Sequence, residues 1–310
     1  MKLKNIVAIL LLCNTLPTFS QQVWTPDNGD GTFTNPIMWG DWPDPDVIRV
    51  GDDFYFVSTS MHYVPGCPIA TSKDLVNWKM AGYAVERYDE DPRFDLKGGS
   101  LYLNGSWAAS IRHHNGKFYV AFCTPNGWGI ENGHLNHNPD NSKWSLTERP
   151  GYMRLKASLA KNLPNARNTL TQRVQGPSSH ATVEMDVTGL KDSNTAGFGI
   201  FEFPYAYVAV KQENGMRKII MCNDGKIIET AVGNYTKDKL WIRARATDKD
   251  FTARFYYSTD GKEFHPIGNV LNMGLGLVWT ANRFAMFNFS TEESGVDGYT
   301  DFNRFRFAGK

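Results

Sequence analysis

The chain has 310 residues and carries 33 Lys+Arg against 32 Asp+Glu, a formal net charge of +1. That balance gives no electrostatic reason to expect a nucleic-acid partner or an anionic membrane surface. The length allows two domains with cores of their own, and no internal stretch approaches a membrane-spanning helix.

Residues 1–20 read as a signal peptide. Lys2 and Lys4 precede the apolar run 6–12, and Thr18 and Ser20 offer small residues for cleavage, so the reading predicts a secreted or periplasmic product starting at Gln21. A lipid anchor on Cys13 fits less well, because bulky Leu12 stands where a small residue belongs. Cys67, Cys123 and Cys222 then remain, an odd and widely spaced set that is no disulfide framework. Neither zinc-like Cys/His spacing nor a Gly-rich phosphate loop occurs, so no metal and no cofactor are expected.

From Asn35 to Tyr83 the chain reads as short strands around Trp42-Pro43-Asp44-Pro45-Asp46. Proline fixes φ and restricts its predecessor, which predicts a stiff, extended backbone at Asp44 on entry to a strand. Such an acid is either a carboxylate aimed at a reacting group or a solvated turn residue. Strands are predicted at 47–50, 54–58 and 68–72, with a fourth opening at Trp78. The stretch 111–120 echoes 48–56, and Phe118 lies 64 positions after Phe54. Repeated units of short antiparallel strands at that spacing predict propeller blades.

Asn35-Pro36-Ile37, Pro43-Asp44-Pro45-Asp46, Arg49-Val50-Gly51-Asp52, Pro65-Gly66-Cys67-Pro68-Ile69 and the run from Ser72 to Trp78 stand in one order over about fifty residues. This stretch resembles the first blade of the five-bladed β-propellers of glycoside hydrolase family 43, the β-xylosidases and α-L-arabinofuranosidases. The resemblance implies an inverting hydrolase of plant hemicellulose oligosaccharides, with a xylo- or arabino-oligosaccharide as partner and Asp44 as general base. By the same resemblance Trp107 lines the sugar pocket, and Met61 and His62 border it. Flat aromatic faces suit the C–H faces of sugars, although Trp78 reads as a filler between blades. His113 and His114 precede a turn and read as surface residues.

Residues 130–140 are polar and turn-rich. The stretch 144–155 resembles the opening of the concanavalin-like β-sandwich at the end of many such glycosidases. The predicted organisation is therefore a signal peptide at 1–20, a truncated propeller at 21–129, a junction at 130–144 and a sandwich at 145–310. The fold class is all-β, about two propeller blades followed by an antiparallel jelly-roll sandwich. Strands are predicted at 169–173, 181–187, 195–201, 205–210, 218–222, 226–230, 240–246, 251–258, 283–289 and 302–307, the last read as alternating. Asn223-Asp224-Gly225 and Thr259-Asp260-Gly261 supply turns.

An inverting glycosidase needs a second carboxyl group as acid, roughly 6.5–9.5 Å from the base. The sequence holds no Glu-Gly-Pro or Glu-Ala-Pro motif of the family's acid, and Gln175-Gly176-Pro177 has the wrong residue. Glu131 is the nearest glutamate to the junction and matches no motif. At roughly 60 residues a blade, five blades need about 300 residues, and residues 35–129 supply far fewer. The catalytic set is incomplete, and the chain is expected to be inactive as written. The alternatives are a non-catalytic carbohydrate-binding remnant or an internally deleted gene product.

Overall fold

The computed structural model describes residues 24–89, 91–124, 138–274 and 281–309. The expected signal peptide, Cys13, Gln21, Trp128, Glu131 and most of the junction lie outside the described residues.

The first sheet is a four-stranded antiparallel blade of β1 (Asp46–Val50), β2 (Asp53–Val57), β3 (Gly66–Ser72) and β4 (Lys79–Val85), paired in chain order. Trp78, expected to open the fourth strand, belongs instead to the turn before it. There the Asp74 carboxylate accepts hydrogen bonds from Ser72 Oγ and from the backbone N–H of Val76 and Asn77, while Trp78 Nε1 donates to the Leu75 carbonyl. The side chain of Asn77 and these backbone donors hold Asp74 well below the usual carboxylate range. The Trp78 ring meets Phe56 at 5.6 Å, and Phe56 meets Trp42 at the same distance. A second sheet pairs β5 (Trp107–His114) with β6 (Lys117–Cys123) across Asn115-Gly116, both at positive φ, the two-residue turn that matches strand twist. Val57, Cys67, Ala109 and Ile111 close the small core between the two sheets.

The sandwich follows with β7 (Trp144–Ser145), β8 (Met153–Lys156), β9 (Ser158–Leu159), β10 (Leu170–Arg173), β11 (Ser178–Asp186), β12 (Asn194–Phe201) and β13 (Ala206–Glu213). Its remaining strands are β14 (Met216–Asn223), β15 (Lys226–Val232), β16 (Lys239–Thr247), β17 (Thr252–Ser258), β18 (His265–Asn272), β19 (Arg283–Ser290) and β20 (Tyr299–Gly309). One sheet runs β10-β19-β12-β13-β14-β15, with β9 also pairing β19; the other runs β18-β17-β16-β11-β20-β8-β7. Ala181, Val183 and Met185 alternate into the core opposite Phe198, Ile200 and Val208, with period two as a half-buried strand requires. Strand β18 was not expected, because Pro266 and Gly268 interrupt it. It lies at the sheet edge, where a missing N–H costs no ladder bond.

Strand β20 departs from the expected alternation. Its phenylalanines are spaced three and then two, and a β-bulge with Arg304 at φ +49° inserts the extra residue opposite Val183. Phe302 and Phe307 consequently both reach the core, while Phe305 is half exposed.

The outer face of the β19-containing sheet is also covered. Phe201, Tyr207, Phe287 and Phe289 pack under Leu163 and Ala166 and against Tyr63, Tyr102 and Leu103 from the blade region. The blade and sandwich thus share a second apolar cluster. Among the described residues the helical segments are short 3-10 turns, and no helix is long and apolar enough to cross a membrane.

Candidate active site

Asp44 is not on extended backbone, as its proline neighbours suggested, but at φ +48°. A non-glycine residue there costs on the order of 1–3 kcal/mol unless its surroundings hold it. The hold comes from the segment leaving β2. Ser58 Oγ (2.6 Å) and the Thr59 N–H (3.1 Å) both donate to the Pro43 carbonyl, and Thr59 Oγ1 donates to Asp44 Oδ2 at 2.8 Å. Thr59 is buried and accepts the Ala108 N–H at 2.8 Å, so one hydroxyl ties Asp44 to the start of β5. Asp44 itself is exposed, and water reaches it.

The neighbouring acid has a different task. Asp46 Oδ2 accepts from Ser110 Oγ and the Ile111 N–H, each at 2.9 Å, and from Arg112 at 2.7 Å. Burial pushes its pKa up, but the Ile111, Ser110 and Arg112 donors outweigh it and hold the carboxyl below its ordinary range. Asp46 is a stitch between β1 and β5.

Trp107 opens β5 half-buried, and its Nε1 donates to the Leu103 carbonyl at 2.6 Å. Next to it Ala108 stands at φ +44° and supplies the N–H that Thr59 accepts, so Asp44 and Trp107 are positioned through the same hydroxyl. Met61 and His62 are placed otherwise than expected: they are 1% and 0% exposed, which leaves neither side chain open to a ligand in this structure. The Met61 backbone pairs with Ser106, and its carbonyl also accepts from the Tyr88 hydroxyl. The His62 ring packs on Tyr63 (4.4 Å) and Tyr102 (4.8 Å), with Nδ1 accepting the Leu103 N–H. The apolar cluster on the outer face of the sandwich draws this loop inward. His113 and His114 are exposed.

Gly105 holds that loop against the second sheet. It lies at φ +121°, and a Cβ there would stand 2.1 Å from the Met61 carbonyl oxygen. Gly105→Ala is expected to break the Met61–Ser106 pairing and cost about 3 kcal/mol, since strained backbone and overlap with a fixed carbonyl combine. Urea melts of the two proteins read this directly, and a change under 1 kcal/mol would contradict the packing described.

The residue that sequence reasoning missed is Asp41. Its Oδ1 lies 2.5 Å from Arg173 Nε and its Oδ2 2.5 Å from an Arg283 guanidinium nitrogen. Arg173 stacks over Trp42 at 4.2 Å and Arg283 over Tyr63 at 3.7 Å. Buried Glu202 accepts from the Tyr102 hydroxyl at 3.2 Å. Both arginines line a cavity of about 230 Å³ between blade and sandwich, with Ser60, Tyr63, Tyr83 and Thr171. The available signal was a charged residue at the head of the apolar run 284–289, but nothing local names its partner.

Residues 33–156 match the glycosyl hydrolases family 43, and residues 134–308 match the β-xylosidase C-terminal concanavalin A-like domain. The chain belongs, over more than half of its length, to the family of β-xylosidase C-terminal concanavalin A-like domains. The family-43 match spans Asp44, Thr59 and Trp107. Over 100 residues the chain is 45% identical to the non-reducing end α-L-arabinofuranosidase of Bacteroides ovatus, covering 32% of this chain and 18% of that protein. Over 126 residues it is 36% identical to the β-xylosidase of Formosa agariphila, covering 36% and 21% respectively. It therefore spans about a fifth of the length of these curated relatives. Among solved structures, a bifunctional GH43-CE protein of Bacteroides eggerthii superposes with a TM-score of 0.77 at 23% identity, over 89% of this chain and 64% of that one. A GH43 protein of Bacillus licheniformis superposes with a TM-score of 0.69 at 16% identity, over 89% and 99%. These likenesses show the fold.

Proposed function

We propose that this chain carries the water-activating half of an inverting glycosidase site for β-xylosyl or α-L-arabinofuranosyl ends of hemicellulose oligosaccharides. Asp44 is the general base and Trp107 the stacking face for the sugar. The observation that carries this reading is the backbone of Asp44, held at φ +48° by the Ser58–Thr59 grip on Pro43 and by the Thr59 hydroxyl on its carboxylate. Unfavourable backbone that its surroundings hold in place clusters at functional sites. A carboxylate fixed this way takes a proton from water as the water attacks the anomeric carbon from the face opposite the leaving group. The relatives named above, an arabinofuranosidase and a β-xylosidase, point to the same substrate class. A leader at residues 1–20 would deliver the chain to the periplasm or outside the cell.

The other half of the site, the acid, has no matching motif in the sequence. The base can therefore be tested only on a substrate whose leaving group departs without a proton. Dinitrophenyl β-xyloside is such a substrate. The purified chain is expected to release dinitrophenol and α-xylose, the inverted anomer seen by proton NMR, and Asp44→Asn is expected to abolish that release. Equal rates in both proteins would remove Asp44 from the base position.

A further inference from the structure

The formal charge of +1 conceals a concentrated cationic face on the sandwich. In the sheet containing β11 and β16, the residues between the core-facing positions point outward, and strand register sets them in rows. One row reads Ala308, His180, Arg245, Arg254 across β20, β11, β16 and β17; the next reads Arg306, Thr182, Arg243, Tyr256. Two depressions of about 180 and 320 Å³ share His180. The first is lined by Arg245, Arg254 and Tyr256, the second by Trp241, Arg243, Phe264 and Arg306.

Like charges on neighbouring strands oppose folding; here Arg243 is drawn over the Phe264 ring at 3.8 Å and donates to Thr182 Oγ1 at 2.8 Å. Glu184, on β11 beyond Thr182, is taken by Lys239 at 2.7 Å and Arg304 at 3.5 Å. Among the described residues no ion pair joins Arg243, Arg245, Arg254 or Arg306 to a carboxylate. The other end of the same sheet is built differently. There Asp186 and Asp301 answer Arg149 and Arg154 at 2.7–2.9 Å. Burial, and then Arg245 and Arg243, push the His180 imidazole below its ordinary pKa, as an unneutralised positive field does.

We propose that this face binds a uronic-acid-bearing polysaccharide, with its carboxylates on Arg245, Arg254 and Arg306 and its sugar rings against Trp241 and Tyr256. Charge complementarity selects an anionic chain. The aromatic rings interleaved with the guanidinium groups suit pyranose faces. The arginines span three strand spacings, roughly 14 Å, which is the reach of several sugar units rather than of one. The inference uses the sandwich alone and does not depend on the role of Asp44.

The test is isothermal titration of the full chain with polygalacturonate, with neutral arabinoxylan and double-stranded DNA as comparators at one ionic strength. Polygalacturonate is expected to bind at least about tenfold more tightly than arabinoxylan and to weaken as salt rises. Arg245→Gln/Arg254→Gln is expected to lose about tenfold with its melting temperature unchanged, and Trp241→Ala to weaken binding while keeping the salt dependence. If the arginine variant misfolds, the His180 ring resonances of the unaltered chain serve instead. They are expected to move with polygalacturonate and stay fixed with arabinoxylan. Arabinoxylan bound as tightly, binding untouched by the arginine changes, immobile His180 resonances, or DNA bound as tightly as polygalacturonate would each overturn the proposal.

Discussion

Asp41→Ala is expected to destabilise the chain by about 3–5 kcal/mol, the range for breaking a buried ion pair from one side. Asp41 is a common counter-charge for Arg173 and Arg283, and all three side chains are largely buried between blade and sandwich. Removing it leaves two guanidinium groups facing each other, each already enclosed by an aromatic ring, Trp42 on one and Tyr63 on the other. Burial makes that repulsion costly, because water is not there to screen it. Replacing the arginine as well should recover much of the loss, so Asp41→Leu/Arg283→Met is expected to lie closer to the unaltered protein than Asp41→Ala does. Urea unfolding midpoints of the three proteins check this. A loss below 1 kcal/mol in Asp41→Ala would mean that the cluster is hydrated.

The second large effect is in the leaving group. With dinitrophenyl β-xyloside replaced by the natural xylobiose, the rate is expected to fall to background, whereas the dinitrophenyl substrate is turned over in an Asp44-dependent way. General acid catalysis contributes typically 10²–10⁴-fold, and an alkoxide leaving group needs all of it. The absent acid motif therefore predicts a steep dependence on leaving-group basicity, far steeper than an enzyme with both carboxyl groups would show. Xylobiose hydrolysis that disappears in Asp44→Asn would show that an acid is supplied after all, by Glu131 or by a second chain.

The propeller-and-sandwich architecture was legible because its signals are local. β-branched and aromatic runs, the positive-φ turns at Asn115-Gly116 and Asp224-Gly225, and the Ser72–Trp78 motif each act within a few residues. Local reading failed where two features competed on one segment. Trp78 is aromatic enough to open a strand, but its indole is claimed by the Leu75 carbonyl. The phenylalanines of β20 announced a bulge by their spacing, and an assumed alternation hid it.

The candidate site was legible only in part. The Pro-Asp-Pro-Asp motif identified two acids but could not separate them. That separation depends on Thr59 reaching Asp44 and on Ser110, Ile111 and Arg112 reaching Asp46 from a strand more than sixty residues away. Met61 and His62 look like pocket residues in a loop, yet both are buried, and the His62 ring packs on Tyr63 and Tyr102 of the cluster against the sandwich.

By itself the sequence determined the strands, most of their turns, the order of the two units and the family, because period-two patterning and turn chemistry operate between near neighbours. Only the tertiary structure decided which charges are paired. Asp41 meets Arg173 and Arg283 from 132 and 242 positions away, and the arginines of β16, β17 and β20 meet one another only through strand register. Electrostatic partnership is set by distance in space, and no spacing along the chain encodes it.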